Sequence, residues 1–142
     1  MASLPLVVVD ADAIVAQAYD EDVNHKKAVE IARNLVDIKA QVIYPITAIT
    51  EAVTVIQRVL SSGDMARSVA AAFTEAGVEI VEVSRDIYAQ AVNKYFDKDM
   101  SKKNTLFDCI VAAVAEEYKA GAIFSFDKFY KKRGFKLISD LD

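Results

Sequence analysis

Four acidic residues set far apart in the chain, Asp10, Glu51, Asp108 and Asp127, carry the chemistry that this sequence points to most directly. Asp10 closes the apolar run from Leu4 to Val9, and Asp127 follows the run from Ala122 to Phe126. Glu51 and Asp108 fall in the first turns of helical patterns. In an open α/β sheet, ligands collect beyond the carboxyl ends of the strands, so residues at such positions share one edge. Carboxylates crowded there repel one another, and at least one takes up a proton unless a cation intervenes. Mg²⁺ or Mn²⁺ removes that repulsion, and such hard ions take oxygen ligands without needing His or Cys. Divalent metal held this way can activate water in line with a phosphodiester and stabilise the leaving oxygen.

Taken singly, each acid has a plainer explanation. Asp10 suits a turn or the N-cap of a following helix. Asp108 completes a capping box with Thr105 and complements the helix dipole. Glu51 lies off the centre of its helix's apolar stripe and suits a solvated face, while Asp127 suits a turn. The functional reading rests on the set.

The elements that must position these residues follow from the apolar pattern. Pro5 to Val9 is an unbroken β-branched run, the mark of a central strand covered on both faces in a parallel sheet. Asp22 or Asn24 opens a helix with Ala28, Val29, Ile31, Ala32, Leu35, Val36 and Ile38 as its stripe. Gln41 to Tyr44 reads as a strand stopped by Pro45. Thr47 then caps a helix carrying Ile49, Ala52, Val53, Ile56, Val59 and Leu60. Ser62-Gly63-Asp64 starts another helix, which Gly77 ends.

Val78 to Val83 is a strand whose Glu79 and Glu82 place it at the outside, and Ser84 starts a helix through about Phe96. Asp97 to Asn104 is a polar loop. From Thr105 a periodic helix carries Phe107, Ile110, Val111, Val114, Ala115 and Tyr118 and closes at Gly121. Ala122 to Phe126 and Phe135 to Ile138 finish the chain as strands. This alternation predicts an α/β fold, a parallel sheet flanked by helices on both faces. With no repeat and no linker, residues 1–142 read as one domain.

Composition narrows the chemistry. One cysteine, Cys109, leaves no internal disulfide or cysteine-rich zinc site, and with one histidine, His25, thiolate and imidazole chemistry is nearly excluded. Cys109 reads as a small buried residue and His25 as a surface one. The mean hydropathy of +0.19 is spread along the chain, with no spanning segment and no export signal, so a cytoplasmic, membrane-free protein is expected. Net charge is −4, yet Lys102-Lys103 and the stretch Lys128 to Arg133 are locally basic. Lys128, Lys131, Lys132 and Arg133 could receive an RNA backbone or form a solvated turn. Tyr130 could stack on a base or pack half-buried.

With those residues in place, the whole chain resembles the PIN-domain ribonucleases, and most closely the VapC-type toxins of bacterial and archaeal toxin–antitoxin pairs. The opening Val7-Val8-Val9-Asp10-Ala11-Asp12-Ala13-Ile14 and the segment Ile49-Thr50-Glu51-Ala52-Val53 look like the family's first two motifs. The more specific match is Leu106-Phe107-Asp108-Cys109-Ile110-Val111-Ala112-Ala113-Val114-Ala115 followed by Ile123-Phe124-Ser125-Phe126-Asp127-Lys128-Phe129. The resemblance implies a Rossmann-like sheet, a Mg²⁺- or Mn²⁺-dependent endoribonuclease, a homodimer and a cognate antitoxin. Carried over, Asp10, Glu51, Asp108 and Asp127 hold metal, and Ser125 hydrogen-bonds an acid or water. The family usually has Ser, Thr or Asn where Asp12 stands, so either the pocket carries a fifth acid or Asp12 points away; Ser125 replaces a more frequent Thr.

Two other readings fit part of the pattern. A haloacid-dehalogenase-like phosphatase would use Asp10 as nucleophile and Asp12 as acid, though no convincing lysine and downstream acidic pair appear. A non-catalytic module would use the acids only to hold Mg²⁺. Apolar residues from Ala16 to Val36 and from Met65 to Phe73 are expected to serve a dimer or an antitoxin.

Overall fold

The computed structural model describes residues 5–141, so Leu4 lies outside the described residues. Four parallel strands, β1 (Leu6–Val9), β2 (Gln41–Pro45), β3 (Glu79–Val81) and β4 (Ala122–Phe124), form one sheet in the order β3-β2-β1-β4. As its unbroken apolar run predicts, β1 is interior, pairing with β2 through Val8 and Ile43 and with β4 through Val8 and Ile123. β3 takes an edge, as its glutamates predict.

The pleat sends alternate residues of β1 into two cores. Val7 and Val9 pack among α1 (Ala11–Ala18), α2 (His25–Asp37), α3 (Ile46–Arg58) and α4 (Gly63–Ala72). Val8 packs on the other face with α5 (Arg85–Gln90), the π turn Ala91–Tyr95 that continues it, and α6 (Leu106–Glu117). The helices thus cover both faces of the sheet.

α6 is buried from Asp108 to Ala115, because β1, α3, α5 and the π turn all lie against it. A helix enclosed on several sides has no single apolar stripe. Phe107 and Tyr118, expected inside, therefore stand half-exposed at its ends. α1 is likewise buried on most sides, through Ala11, Ala13, Ile14, Val15 and Ala16, which explains why no periodic stripe announces it.

Several expected boundaries move. Thr47 does not cap α3: the strand β2 runs through Pro45 straight into a helix beginning at Ile46, and Thr47 falls inside the first turn with its Oγ1 buried and unpartnered. On α2 the buried stripe is Ala28, Ile31 and Leu35, leaving Val36 75% exposed and Ile38 outside as well. Val59, at the end of α3, is also exposed. The strand expected over Val78 to Val83 shortens to Glu79–Val81.

β4 stops at Phe124 rather than Phe126, since the next backbone N–H groups turn toward side chains instead of a neighbouring strand. The strand expected over Phe135 to Ile138 reduces to a single bridge between Leu137 and Ile123, followed by a 3₁₀ turn over Ile138–Asp140.

Ile43, fully buried in an interior strand, and Val36, outside the stripe of α2, bracket the energetics. Ile43→Ala is expected to cost about 2–5 kcal/mol of stability. Val36→Ala is expected to cost less than about 0.5 kcal/mol. Urea unfolding of both variants checks the difference.

Candidate metal centre

In the strand order β3-β2-β1-β4, successive connections run outward from β1 through β2 and β3, and the last strand returns to the other side of β1. The reversal lies between β1 and β4, and ligands of open α/β sheets bind beyond the carboxyl ends of strands at such a point. Asp10 leaves β1 there, and Ser125 and Asp127 leave β4. The Asp10 N–H still reaches the Phe124 carbonyl at 3.0 Å, so the two chain ends stay in register as they exit the sheet.

Ser125, fully buried, joins the two sides. Its Oγ lies 2.9 Å from Asp10 Oδ2 and 3.2 Å from Asp12 Oδ2, and it accepts from the Asp127 N–H at 3.1 Å. The other Asp10 oxygen accepts from the Ala11 N–H at 2.8 Å, so Asp10 caps α1 as well. Asp12 does not point away: its Oδ2 takes the Phe126 N–H at 2.9 Å, and its Oδ1 is buried without a partner.

A second donor joins Asp108 to Asp127. The Asn104 side-chain amide donates to Asp127 Oδ2 at 2.7 Å and to Asp108 Oδ2 at 3.2 Å. Asp108 Oδ2 also closes the capping box by accepting from the Thr105 N–H at 3.0 Å. Its Oδ1 faces the Tyr130 hydroxyl at 3.4 Å. Tyr130 is fully buried, not half-buried, and stands beneath the site rather than beside an entering base. Asp127 Oδ1 caps the next turn through the Phe129 N–H at 2.9 Å.

Glu51, expected in a first turn, lies in the second turn of α3 because that helix already begins at Ile46, and its Oε1 is buried and unpartnered. The acids line one open cavity of about 250 Å³, in which Asp10, Asp12, Glu51, Asp108 and Asp127 are joined by Asp22 and Lys103. Asp22 and Asn104 are site residues that the sequence does not single out. Asn104 stands four residues before Asp108, one helical turn away across the cap, and that spacing is the signal that could have found it.

The electrostatics follow from crowding and burial. Burial, then the charges of Asp12 and Asp108, hold the Asp10 carboxyl well above its ordinary range. Burial likewise pushes Asp12 up to about 6 and, with Asp108 and Asp12 adding, Glu51 up to about 7. Asp108 is raised by burial against the opposing bonds from Thr105 and Asn104. The cavity therefore holds protons where a cation is absent. Among the described residues no three His, Cys, Asp or Glu side chains stand grouped so that they could hold a metal ion without moving. The two orphaned oxygens, Asp12 Oδ1 and Glu51 Oε1, and an all-oxygen donor set are what an incoming hard cation needs.

Beside this cavity runs a larger groove of about 650 Å³ of mixed charge, in which Lys103, Lys128, Lys132 and Arg133 share the walls with Asp12, Asp97, Asp99 and Asp127, together with Phe126 and Phe129. The Arg133 guanidinium lies 3.7 Å from the Phe129 ring centre and donates to the Phe129 carbonyl at 3.0 Å. Lys131 departs from the expected set: the 3₁₀ turn Lys131–Arg133 sends it to the other side, where it pairs with Asp140 at 3.1 Å. Cys109 is buried, and burial pushes its thiol up to about 11. The His25 ring rests against the Ala16 carbonyl, 2.7 Å from Nδ1.

A family model for the PIN domain matches residues 7–136. The chain belongs to the PIN-domain family. No curated protein matches it closely enough to add to that assignment. Among solved structures, this PIN domain is similar to VapC20 of Mycobacterium tuberculosis, a toxin that cleaves the sarcin–ricin loop. The TM-score is 0.77 at 21% identity over 91% of this chain and 95% of that one. It is also similar to VapBC2 of Rickettsia felis, solved bound to a fragment of its promoter DNA. There the TM-score is 0.63 at 12% identity over 93% of this chain and 96% of that one. At these identities the likeness shows the fold.

The raised carboxyls give a pH dependence of definite sign. Folded Glu51 and Asp12 titrate near 7 and 6 against ordinary values of 4.5 and 3.8, so between those limits the folded PIN domain binds more protons than the unfolded chain. Stability then falls as pH rises through this window. The metal-free protein is expected to melt several degrees higher at about pH 5.5 than at about pH 8. Mn²⁺ should raise the melting temperature more at the higher pH. Calorimetry in chelator and in Mn²⁺ checks both, and a higher melting point for the metal-free protein at the alkaline end would contradict the protonated cluster.

Proposed function

We propose that the protein is a divalent-metal-dependent endoribonuclease and the toxin of a VapBC-type toxin–antitoxin pair. The single observation that carries this reading is the convergence of Asp10, Glu51, Asp108 and Asp127 on one cavity, beside a groove to which Lys103, Lys128, Lys132 and Arg133 contribute. Membership of the PIN-domain family supports the nuclease, and the likeness to two toxin structures supports the toxin.

Asp10, Glu51, Asp108 and Asp127 would hold Mg²⁺ or Mn²⁺, which when bound supplies the Lewis acidity that activates water toward a phosphodiester. The remaining work falls to the chain itself. Ser125 fixes the rotamers of Asp10 and Asp12 from below, and Asn104 fixes Asp108 and Asp127 relative to each other. Glu51, with one oxygen unengaged, releases its proton as positive charge arrives. Lys128, Lys132 and Arg133 receive the RNA backbone along the groove, and Arg133 is held in place by Phe129.

The match to the PIN-domain family favours this reading over the phosphatase alternative, in which Asp10 would be the nucleophile.

For the partners we read the apolar groove of about 610 Å³ between α2, β2 and α4, lined by Leu35, Val36, Val42, Tyr44, Phe73 and Val78. It joins the two segments expected to serve partners, and it suits an apolar antitoxin segment. A homodimer remains part of this reading, as does an intracellular setting. No helix among the described residues is long and apolar enough to cross a membrane.

Asp10→Asn and Asp108→Asn are each expected to lower Mn²⁺-dependent cleavage of RNA by at least about 100-fold. Wild-type rates in both variants would refute the metal assignment, and Mn²⁺ binding with no cleavage in the wild type would favour the non-catalytic module. Val36→Asp, on an exposed position of the apolar groove, is expected to abolish binding of the cognate antitoxin while leaving cleavage intact. Pull-down of the co-expressed pair, with a parallel RNA assay, reads both.

A further inference from the structure

Lys103 is a basic residue that lines both the carboxylate cavity and the groove beside it. Asp10, Asp12, Asp22, Glu51, Asp108 and Asp127 line the cavity with it, and no other lysine or arginine does. A phosphodiester moving from the groove into that ring of acids finds Lys103 as the cationic side chain among those that line it. Cations placed where charge develops on a transferring phosphoryl group are worth far more in such a partly enclosed site than in water.

The loop fixes the backbone of Lys103 and leaves its side chain free. The Lys103 N–H donates to Ser101 Oγ at 3.2 Å, and the Asn104 N–H donates to the Ser101 carbonyl at 3.0 Å. The very next side chain, Asn104, is clamped to Asp108 and Asp127. The ion pairs among the described residues are Lys94 with Glu116 and Lys131 with Asp140, so the Lys103 ammonium is committed to neither. A flexible cation tethered at a fixed point on the rim suits a moving phosphate better than a structural role.

We propose that Lys103 binds the phosphate that enters the carboxylate cavity, making it a catalytic residue that couples the neighbouring groove to the metal centre. This rests on the ribonuclease reading, and it adds a residue to it. Lys103 hands the backbone from Lys128 and Lys132 to the acids, and it offsets charge on the non-bridging oxygens during hydrolysis. It acts as a charge, so arginine can replace it.

The test uses the full chain as Lys103→Ala, Lys103→Arg and Lys102→Ala, with a fluorescein-labelled single-stranded oligoribonucleotide. Cleavage is measured in Mn²⁺, binding in Ca²⁺ over a range of salt, and Mn²⁺ affinity by calorimetry. Lys103→Ala is expected to cleave about 100-fold more slowly. Its slope of log affinity against log salt should be shallower by about 0.7, the share of one phosphate contact on a single strand. Mn²⁺ affinity and melting temperature should stay at wild-type values, Lys103→Arg should recover the slope and most of the rate, and Lys102→Ala should behave as wild type.

A wild-type salt slope in Lys103→Ala overturns the proposal, whatever its rate. So does a loss of Mn²⁺ affinity, which would place Lys103 among the supports of the metal loop. Failure of Lys103→Arg to recover the slope overturns it as well. If the wild type cleaves no RNA, the ribonuclease reading fails separately, and the slope comparison on the same RNA still decides whether Lys103 holds a phosphate.

Discussion

Everything at the carboxyl edge of this sheet is arranged around carboxyl groups that are wholly or partly withdrawn from water and crowded against one another. Asp10, Asp12, Glu51, Asp108 and Asp127 line one small cavity, and the fold must hold them there before any counter-charge arrives. It does so with neutral donors. Ser125 links Asp10 to Asp12, Asn104 links Asp108 to Asp127, and backbone N–H groups of Ala11, Thr105, Phe126 and Phe129 take up further oxygens. Helix starts contribute too, since Asp10 and Asp108 sit where the dipoles of α1 and α6 favour negative charge. Protons supply the rest, since burial first and neighbouring charge second raise the carboxyls of Asp12 and Glu51 to about 6 and about 7.

This arrangement dissolves the choice between structural and functional explanations of the same residues. Asp108 is a helix cap and also part of the cavity wall; Asp10 is an N-cap and also a neighbour of Ser125. A cap occupies one side of a carboxylate and fixes its rotamer. The side left over faces the cavity at a predetermined angle, so local helix energetics supply the preorganisation that a cation site requires. The cost shows in the buried oxygens left without partners, Asp12 Oδ1 and Glu51 Oε1.

The sequence is legible wherever local grammar and tertiary demand agree. The apolar run of β1, the capping box of α6 and the acids at the ends of β1 and β4 obey rules that act over a few residues, and the fold keeps them. Legibility fails where a distant group overrides the local one. β4 looks five residues long, but Asp12 captures the Phe126 N–H and ends the ladder early. Lys131 shares a basic run with Lys132, yet the tight turn sends successive side chains to opposite sides. Asn104 and Asp22 look like ordinary loop residues, because what distinguishes them is a partner far along the chain or a cavity formed only on folding.

The acidic outer strand sets how copies of this molecule can meet. β3 leaves one side of its backbone ladder open, with Glu79 exposed on it and Glu82 just beyond. A second sheet pairing there in antiparallel fashion would oppose glutamate to glutamate, a repulsive register for an otherwise sticky rim. Such repulsion disfavours fibrous, strand-to-strand growth between crowded chains.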